Sequence, residues 1–262
     1  MGYGKGRIMQ NATPRLVSSL SVAIGGGGLF LFGWFLAAGT PFSIALAQSA
    51  GGRLAVDSLL CLVFFLQHSV MVRRGVKARM ARVVPESYGA ALYSIASGLA
   101  LFILVLLWQE DGRVVYEIRG PARWLLAATS IAAIAGFVWG VKALGEFDTF
   151  GTAPLRALSR GTTVAPSVFV VRGPYRYVRH PLYLFMLVLI WGEHRVSADR
   201  LLFNMLWTAW IVVGTMLEER DLRSEFGQTY RDYQRAVPML IPIPPALRSG
   251  GRPQVRPARK AR

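Results

Sequence analysis

The chain is 262 residues long, 53% hydrophobic and only 17% charged, against roughly 25% charged residues in an average soluble domain, and its mean hydropathy of +0.39 places it among membrane proteins. Its net charge of +16 is dispersed between apolar blocks, which argues against nucleic-acid binding and for an integral membrane protein. The one cysteine, Cys61, lies within an apolar run, which excludes an intrachain disulfide and a cysteine-based zinc site; it reads as a small buried residue.

Residues 1–15 form a basic N-terminal segment with Lys5, Arg7 and Arg15. The apolar run that follows, Leu16 to Ala38, is longer than the about 7–15 apolar residues of a secretory signal. A retained helix is therefore expected, although "ALAQ" at 45–48 resembles a cleavage site. "GGGG" at 25–28 has no preceding strand and no following Lys-Ser/Thr pair, so it is not a phosphate loop; close helix packing or local flexibility is its reading.

A membrane-spanning helix needs about 20 mostly apolar residues. Leu54 to Val72, Gly89 to Trp108 and Ala122 to Leu144 meet that length along with the first run. Pro181 to Trp191 and Leu201 to Leu217 are shorter and read as a helical hairpin that starts and ends on one side. The expected fold is an all-α integral membrane helical bundle. It has four spanning helices plus the C-terminal hairpin, five to six membrane segments in all, and a cytoplasmic amphipathic helix after residue 217. The domain division is a cytoplasmic N-terminus (1–15), a membrane domain (16–242) and a basic tail (243–262). The tail, rich in Pro, Gly and Arg, reads as disordered. With the N-terminus placed inside, 24 of the 30 lysines and arginines fall on the inner side and 6 outside. The positive-inside rule then puts both termini in the cytoplasm.

Polar residues at membrane depth mark candidate sites. Asp57, Gln67 and His68 lie in the second run; Asp57 and His68 are eleven residues apart, about three turns, so they share a face without touching. His68 reads either as an interfacial histidine bonded to a carbonyl or as a site residue. "GEFDTFG" at 145–151 places Glu146 and Asp148 at the inner interface. Paired carboxylates can perform acid–base chemistry, and they can equally be solvated there. Glu218 and Glu219 end the last apolar run, where the negative end of a helix dipole disfavours carboxylates; a cationic ligand would explain them. Across the hairpin stand Tyr175, Arg176, Arg179, His180 and Tyr183. Arg and His suit a ligand's carboxylate, Tyr an adenine face or a hydroxyl, and Glu an ammonium or a ribose hydroxyl. A lipid headgroup fits these residues nearly as well. No cluster of metal ligands is visible.

The pairing of "GPYRYVRHPLY" with "EERDLRSEFGQTYRDYQRAVPMLIP", which starts 35 residues after Tyr183, resembles the membrane methyltransferases related to isoprenylcysteine carboxyl methyltransferase. "QHSVMVRR" at 67–74, "FDTFG" at 147–151 and "HPLYLFMLVLIW" look like the bacterial methanethiol S-methyltransferase branch, which is related to NnrU. This similarity runs over residues 54–242. It implies S-adenosylmethionine as cofactor, held by Tyr175, His180, Pro181, Leu182 and Tyr183, with Glu218 and Glu219 opposite and Arg179 beside them. It also implies a small thiol substrate, methanethiol becoming dimethyl sulfide, in a bacterial inner membrane with lipid around the protein and no obligate protein partner. Glu219, His68 and Asp148 are the candidates for the catalytic base. The alternatives are carboxyl methylation of a prenylcysteine, methylation of a lipid amine, and a non-catalytic NnrU-like membrane protein.

Overall fold

A computed structural model describes residues 13–42, 44–145, 148–163 and 169–242. Most of the expected N-terminal segment, Glu146 and the basic tail lie outside the described residues. In chain order the elements are α1 (Thr13–Ala38), α2 (Ala50–Met71), the short α3 (Arg74–Met80), α4 (Glu86–Leu106) and strand β1 (Val114–Glu117). There follow α5 (Ala122–Ala143), α6 (Ala153–Arg160), a 3₁₀ turn (Gly173–Arg176), α7 (Pro181–Trp191), strand β2 (Arg195–Ser197) and α8 (Ala198–Ala236).

Five of these helices, α1, α2, α4, α5 and α8, are long and apolar enough to cross a membrane. At most 33% of the apolar window of any of them is buried by protein, and Phe30, Leu125 and Ile131 are largely exposed. Their remaining apolar surface needs lipid to cover it. The 11 residues of α7 rise only about 16 Å, half of a hydrocarbon core.

The boundaries differ from the sequence expectation where caps outrank hydropathy. Helix α2 starts at Ala50, four residues before the apolar run, because the Ser49 hydroxyl accepts a hydrogen bond from the Gly52 amide at 3.1 Å. Helix α4 begins at Glu86 behind Pro85, with the acidic residue in the favourable first turn. The amphipathic helix expected after residue 217 is not set apart at that point: α8 runs on past the last span to Gly227, where the backbone leaves helical geometry, and a second helical arm continues from there to Ala236. The all-α expectation also omits a two-stranded antiparallel ribbon, β1 with β2, which carries a bulge between Val114 and Tyr116.

The described residues form two compact units, one drawn from the ranges 1–112 and 148–166, the other from 113–147 and 167–262. In the first unit, α1 and α4 approach at glycines. A methyl group on Gly28 would lie 2.6 Å from the Gly98 carbonyl oxygen, and one on Gly98 would lie 2.4 Å from that of Ile24. The "GGGG" run therefore serves close packing. Cys61 is buried, as expected. Asp57 accepts the Gln109 amide at 2.8 Å, and the Gln109 side chain binds the Leu46 amide and the Ile44 carbonyl, each at 2.8 Å, so this buried carboxylate fastens a connecting loop.

In the second unit, α7 lies on α5 through a small-residue groove in the sequence Gly136-Phe-Val-Trp-Gly140. A methyl group on Gly136 would lie 2.5 Å from the Phe185 ring, and one on Gly140 would lie 2.6 Å from Leu182 Cδ2. Helix α8 bends sharply at Gly227, with φ 56° and ψ −126°, a conformation open in practice to glycine alone. Beyond the bend, Tyr230, Tyr233 and Val237 form a core with Phe169 and Phe226.

Candidate active site

The site is assembled from the start of α7 and both arms of the bent α8, all within the second unit. Pro181 occupies the first turn of α7, where its missing N–H costs nothing and its fixed φ suits the helix. His180 immediately precedes it. The backbone amides of Arg179 and His180 cannot join the helix ladder and donate instead to the carbonyls of Pro238 and Met239, at 2.9 and 3.1 Å. The stretch after α8 thus pairs with the stretch before α7 and fixes both side chains.

Glu219 is the centre. It is buried, and five donors converge on its carboxylate. Oε1 receives Arg179 Nε at 2.7 Å, His180 Nε2 at 2.7 Å and the Tyr230 hydroxyl at 2.8 Å. Oε2 receives Arg179 Nη2 at 3.0 Å and the Gln234 amide. An ionised carboxylate can only accept, so His180 carries its proton on Nε2. Arg179 Nη1 donates to the carbonyls of Gln234, at 3.0 Å, and Val237. Burial of this ion pair is tolerable because nearly every lone pair and proton of both partners is engaged.

The bend makes this possible. Tyr230 is 11 residues beyond Glu219 and Gln234 is 15 beyond it. On a straight helix these separations are about 16 and 22 Å, out of reach of one carboxylate. Gly227 turns the chain back so that both side chains return to it.

Glu218 is the opposite case. Its side chain is 43% exposed. Its Oε2 accepts the Tyr183 hydroxyl at 2.8 Å and lies 3.7 Å from His180 Nδ1. The rings of His180 and Tyr183 are nearly parallel, 5.7 Å apart. Burial, with the nearby Glu218 charge, pushes the Tyr175 hydroxyl up to about 12, so it stays a neutral phenol at physiological pH. The Tyr175 carbonyl accepts the Tyr233 hydroxyl.

The expected residues therefore divide. Tyr175, Arg179, His180, Pro181, Tyr183, Glu218 and Glu219 belong to one constellation. Leu182 sits at its edge, turned into the Gly140 groove. His68 and Asp148 belong to the first unit. His68 Nε2 lies 2.7 Å from the Tyr93 hydroxyl, and Ser97 Oγ bonds both His68 Nδ1 at 3.4 Å and the Gln67 amide at 3.3 Å. Asp148 caps α6: Oδ1 accepts the Thr152 amide and hydroxyl at 2.9 and 3.1 Å, and Oδ2 the Ala153 amide at 2.7 Å. Sequence reasoning missed Tyr230 and Gln234; the available signal was Gly227, a glycine inside the helical run "SEFGQTYRDYQRA".

The fold and the site define a polytopic helical membrane protein with a charged, closely bonded constellation where its last helices leave the apolar layer. Methanethiol S-methyltransferase 2 of Bradyrhizobium diazoefficiens is 36% identical over 193 residues, covering 73% of this chain and 74% of that protein. Methanethiol S-methyltransferase of Mycobacterium tuberculosis is 35% identical over 76% of this chain and 82% of its own length. That of a Pseudomonas species is 32% identical over 82% of this chain and 84% of its own. The chain belongs to the methanethiol S-methyltransferase family. No family model matches it, and no solved structure does.

Proposed function

We propose that the protein transfers a methyl group from S-adenosylmethionine to the sulfur of a small thiol, methanethiol foremost, at the constellation where α7 begins. Besides membership of the family, the observation that carries this reading is the contrast between adjacent glutamates. Glu219 is saturated by protein donors, while Glu218 presents a half-exposed carboxylate beside two stacked rings and a neutral phenol. Those groups suit a ligand that combines an ammonium or ribose hydroxyls with an aromatic base. S-adenosylmethionine, when bound, supplies an electrophilic methyl group on a sulfonium.

Glu218, Tyr175, Tyr183 and His180 bind and orient. Glu219 and Arg179 position, since their polar atoms are occupied by one another and by Tyr230, Gln234 and the 237 carbonyl. A carboxylate that accepts five hydrogen bonds is a poor proton acceptor, so the base role expected of Glu219 gives way to a positioning role. Asp148 has a helix cap to explain it and takes no catalytic role in this reading. His68 is retained as the candidate that takes the thiol proton. The apolar side chains of α7 exclude water, and a thiolate in such surroundings keeps its nucleophilicity. The termini are read as cytoplasmic and the membrane as the bacterial inner membrane, on the 24 to 6 distribution of lysine and arginine.

The test uses membranes that contain the protein, methyl-labelled S-adenosylmethionine and methanethiol. The reading expects volatile labelled dimethyl sulfide. Label found only in a prenylated peptide or a lipid amine would redirect the acceptor, and no turnover of label at all would favour a non-catalytic membrane protein.

A further inference from the structure

A cavity of about 420 Å³ opens in the first unit, between the start of α1 and α6. Each helix turns one face to it. On α1, Arg15, Ser18 and Ser19 stand at spacings of three and four residues; on α6, Arg156, Ser159 and Arg160 repeat the pattern. No acidic side chain lines the cavity. Among the described residues none of the three arginines forms an ion pair, whereas Arg179, Arg119, Arg200 and Arg235 do. Three guanidinium groups around one cavity repel each other unless an anion joins them. Arginine's planar fork with hydroxyls alongside is the donor set that binds phosphate oxygens.

The surroundings narrow the anion. Leu16 and Leu20 on α1 and Leu158 on α6 are 61%, 42% and 49% exposed, so apolar surface runs from the same two helices that carry the charges. Helix α6 has charged and apolar faces in the manner of an interfacial helix. Arg15 opens the first membrane helix, and α6 lies in the connection between α5 and α7. Under the proposed orientation both are on the cytoplasmic side, where anionic lipids concentrate.

We propose that this cavity binds the phosphate of an anionic phospholipid of the phosphatidylglycerol type. Arg15, Arg156 and Arg160 hold the phosphate, Ser18 and Ser19 donate hydroxyl hydrogens, and the acyl chains descend along Leu16, Leu20 and Leu158. A soluble phosphate would meet the same donors but gain nothing from the leucines.

The experiment is binding to the full chain in a neutral detergent, followed by native mass spectrometry and thermal unfolding. The probes are dioctanoyl-phosphatidylglycerol, dioctanoyl-phosphatidylcholine and inorganic phosphate. Phosphatidylglycerol is expected to bind and raise Tm well beyond the other two. Arg156→Gln with Arg160→Gln should weaken it about 25-fold, at about fivefold per cation near the anion. Arg156→Lys with Arg160→Lys should weaken it less, and Ser18→Ala with Ser19→Ala, which leaves every charge in place, should weaken it in the same direction. Equal binding of phosphatidylcholine, or phosphatidylglycerol binding unchanged in both the glutamine and the serine variants, overturns the proposal. Inorganic phosphate binding as tightly as phosphatidylglycerol overturns the lipid as the source. The glutamine variant alters exposed side chains only, so an unchanged Tm without ligand separates lost binding from lost folding.

Discussion

The polar clusters around His68 and around Glu219 both interrupt apolar helices, and they are made differently. In the first unit, His68 meets hydroxyls of Tyr93 and Ser97 that project from a neighbouring span; no departure from regular helix is needed to form it. In the second, Glu219 is fully ionic. It requires a bend at Gly227, a proline-started helix and the returning segment at 237–239 to gather its donors. The difference teaches where charge is tolerated near lipid. His68 is served by two hydroxyls, whereas the Glu219 carboxylate, paired with a buried guanidinium, gathers several donors from segments where the chain leaves regular structure. That rigid centre leaves its neighbour Glu218 open.

The strongest way to break the comparison is Glu219→Ala. It leaves the buried Arg179 guanidinium without its carboxylate partner, a loss of about 3–5 kcal/mol for a broken buried pair. Unfolding in detergent should occur at a much lower temperature, and methyl transfer should vanish. An unchanged Tm would mean that the cluster does not organise the unit. His68→Ala should leave Tm nearly intact and lower kcat by about 10²–10⁴, the usual contribution of a positioned base, while KM for the methyl donor holds. Unchanged kcat would remove His68 from the chemistry.

Gly227→Ala tests the bend itself. An alanine forced to the φ of 56° costs of the order of 1–3 kcal/mol, so Tm should fall and activity with it, though less than in Glu219→Ala. The smallest effect concerns pH. The Tyr175 hydroxyl is raised from 10.0 to about 12 by burial first and by Glu218 second. A raised pKa gives stability that is complete below the unfolded value and is lost as pH rises through the folded one. The wild type should therefore lose more Tm than Tyr175→Phe between pH 10.0 and about 12, and the two should run parallel below that window.

The spans were legible because a run of about 20 apolar residues has few other uses. Their ends were less so: Ser49 and Pro85 set helix starts through backbone capping, which hydropathy does not register. The ribbon of Val114–Glu117 with Arg195–Ser197 was hidden because it is short, and β1 is mostly exposed and shows no alternation. The meeting of His180 with Glu218 and Glu219 was readable, since a hairpin that returns to its starting side must bring its ends together. The cage was not. Nothing in the spacing of Glu219, Tyr230 and Gln234 brings them to one point until a positive φ at Gly227 is known. Arg179 illustrates the consequence: the charge suggested a ligand's carboxylate, but its guanidinium is engaged within the protein.

The central claim is that the saturated Glu219 holds Glu218 out for a cationic methyl donor. The direct measurement is calorimetric binding of S-adenosylmethionine to wild type and to Glu218→Gln, with Tm recorded for both. The account predicts an unchanged Tm and affinity weakened by about 10- to 100-fold, the worth of a hydrogen bond to a charged group. Equal affinity in the two proteins would contradict it.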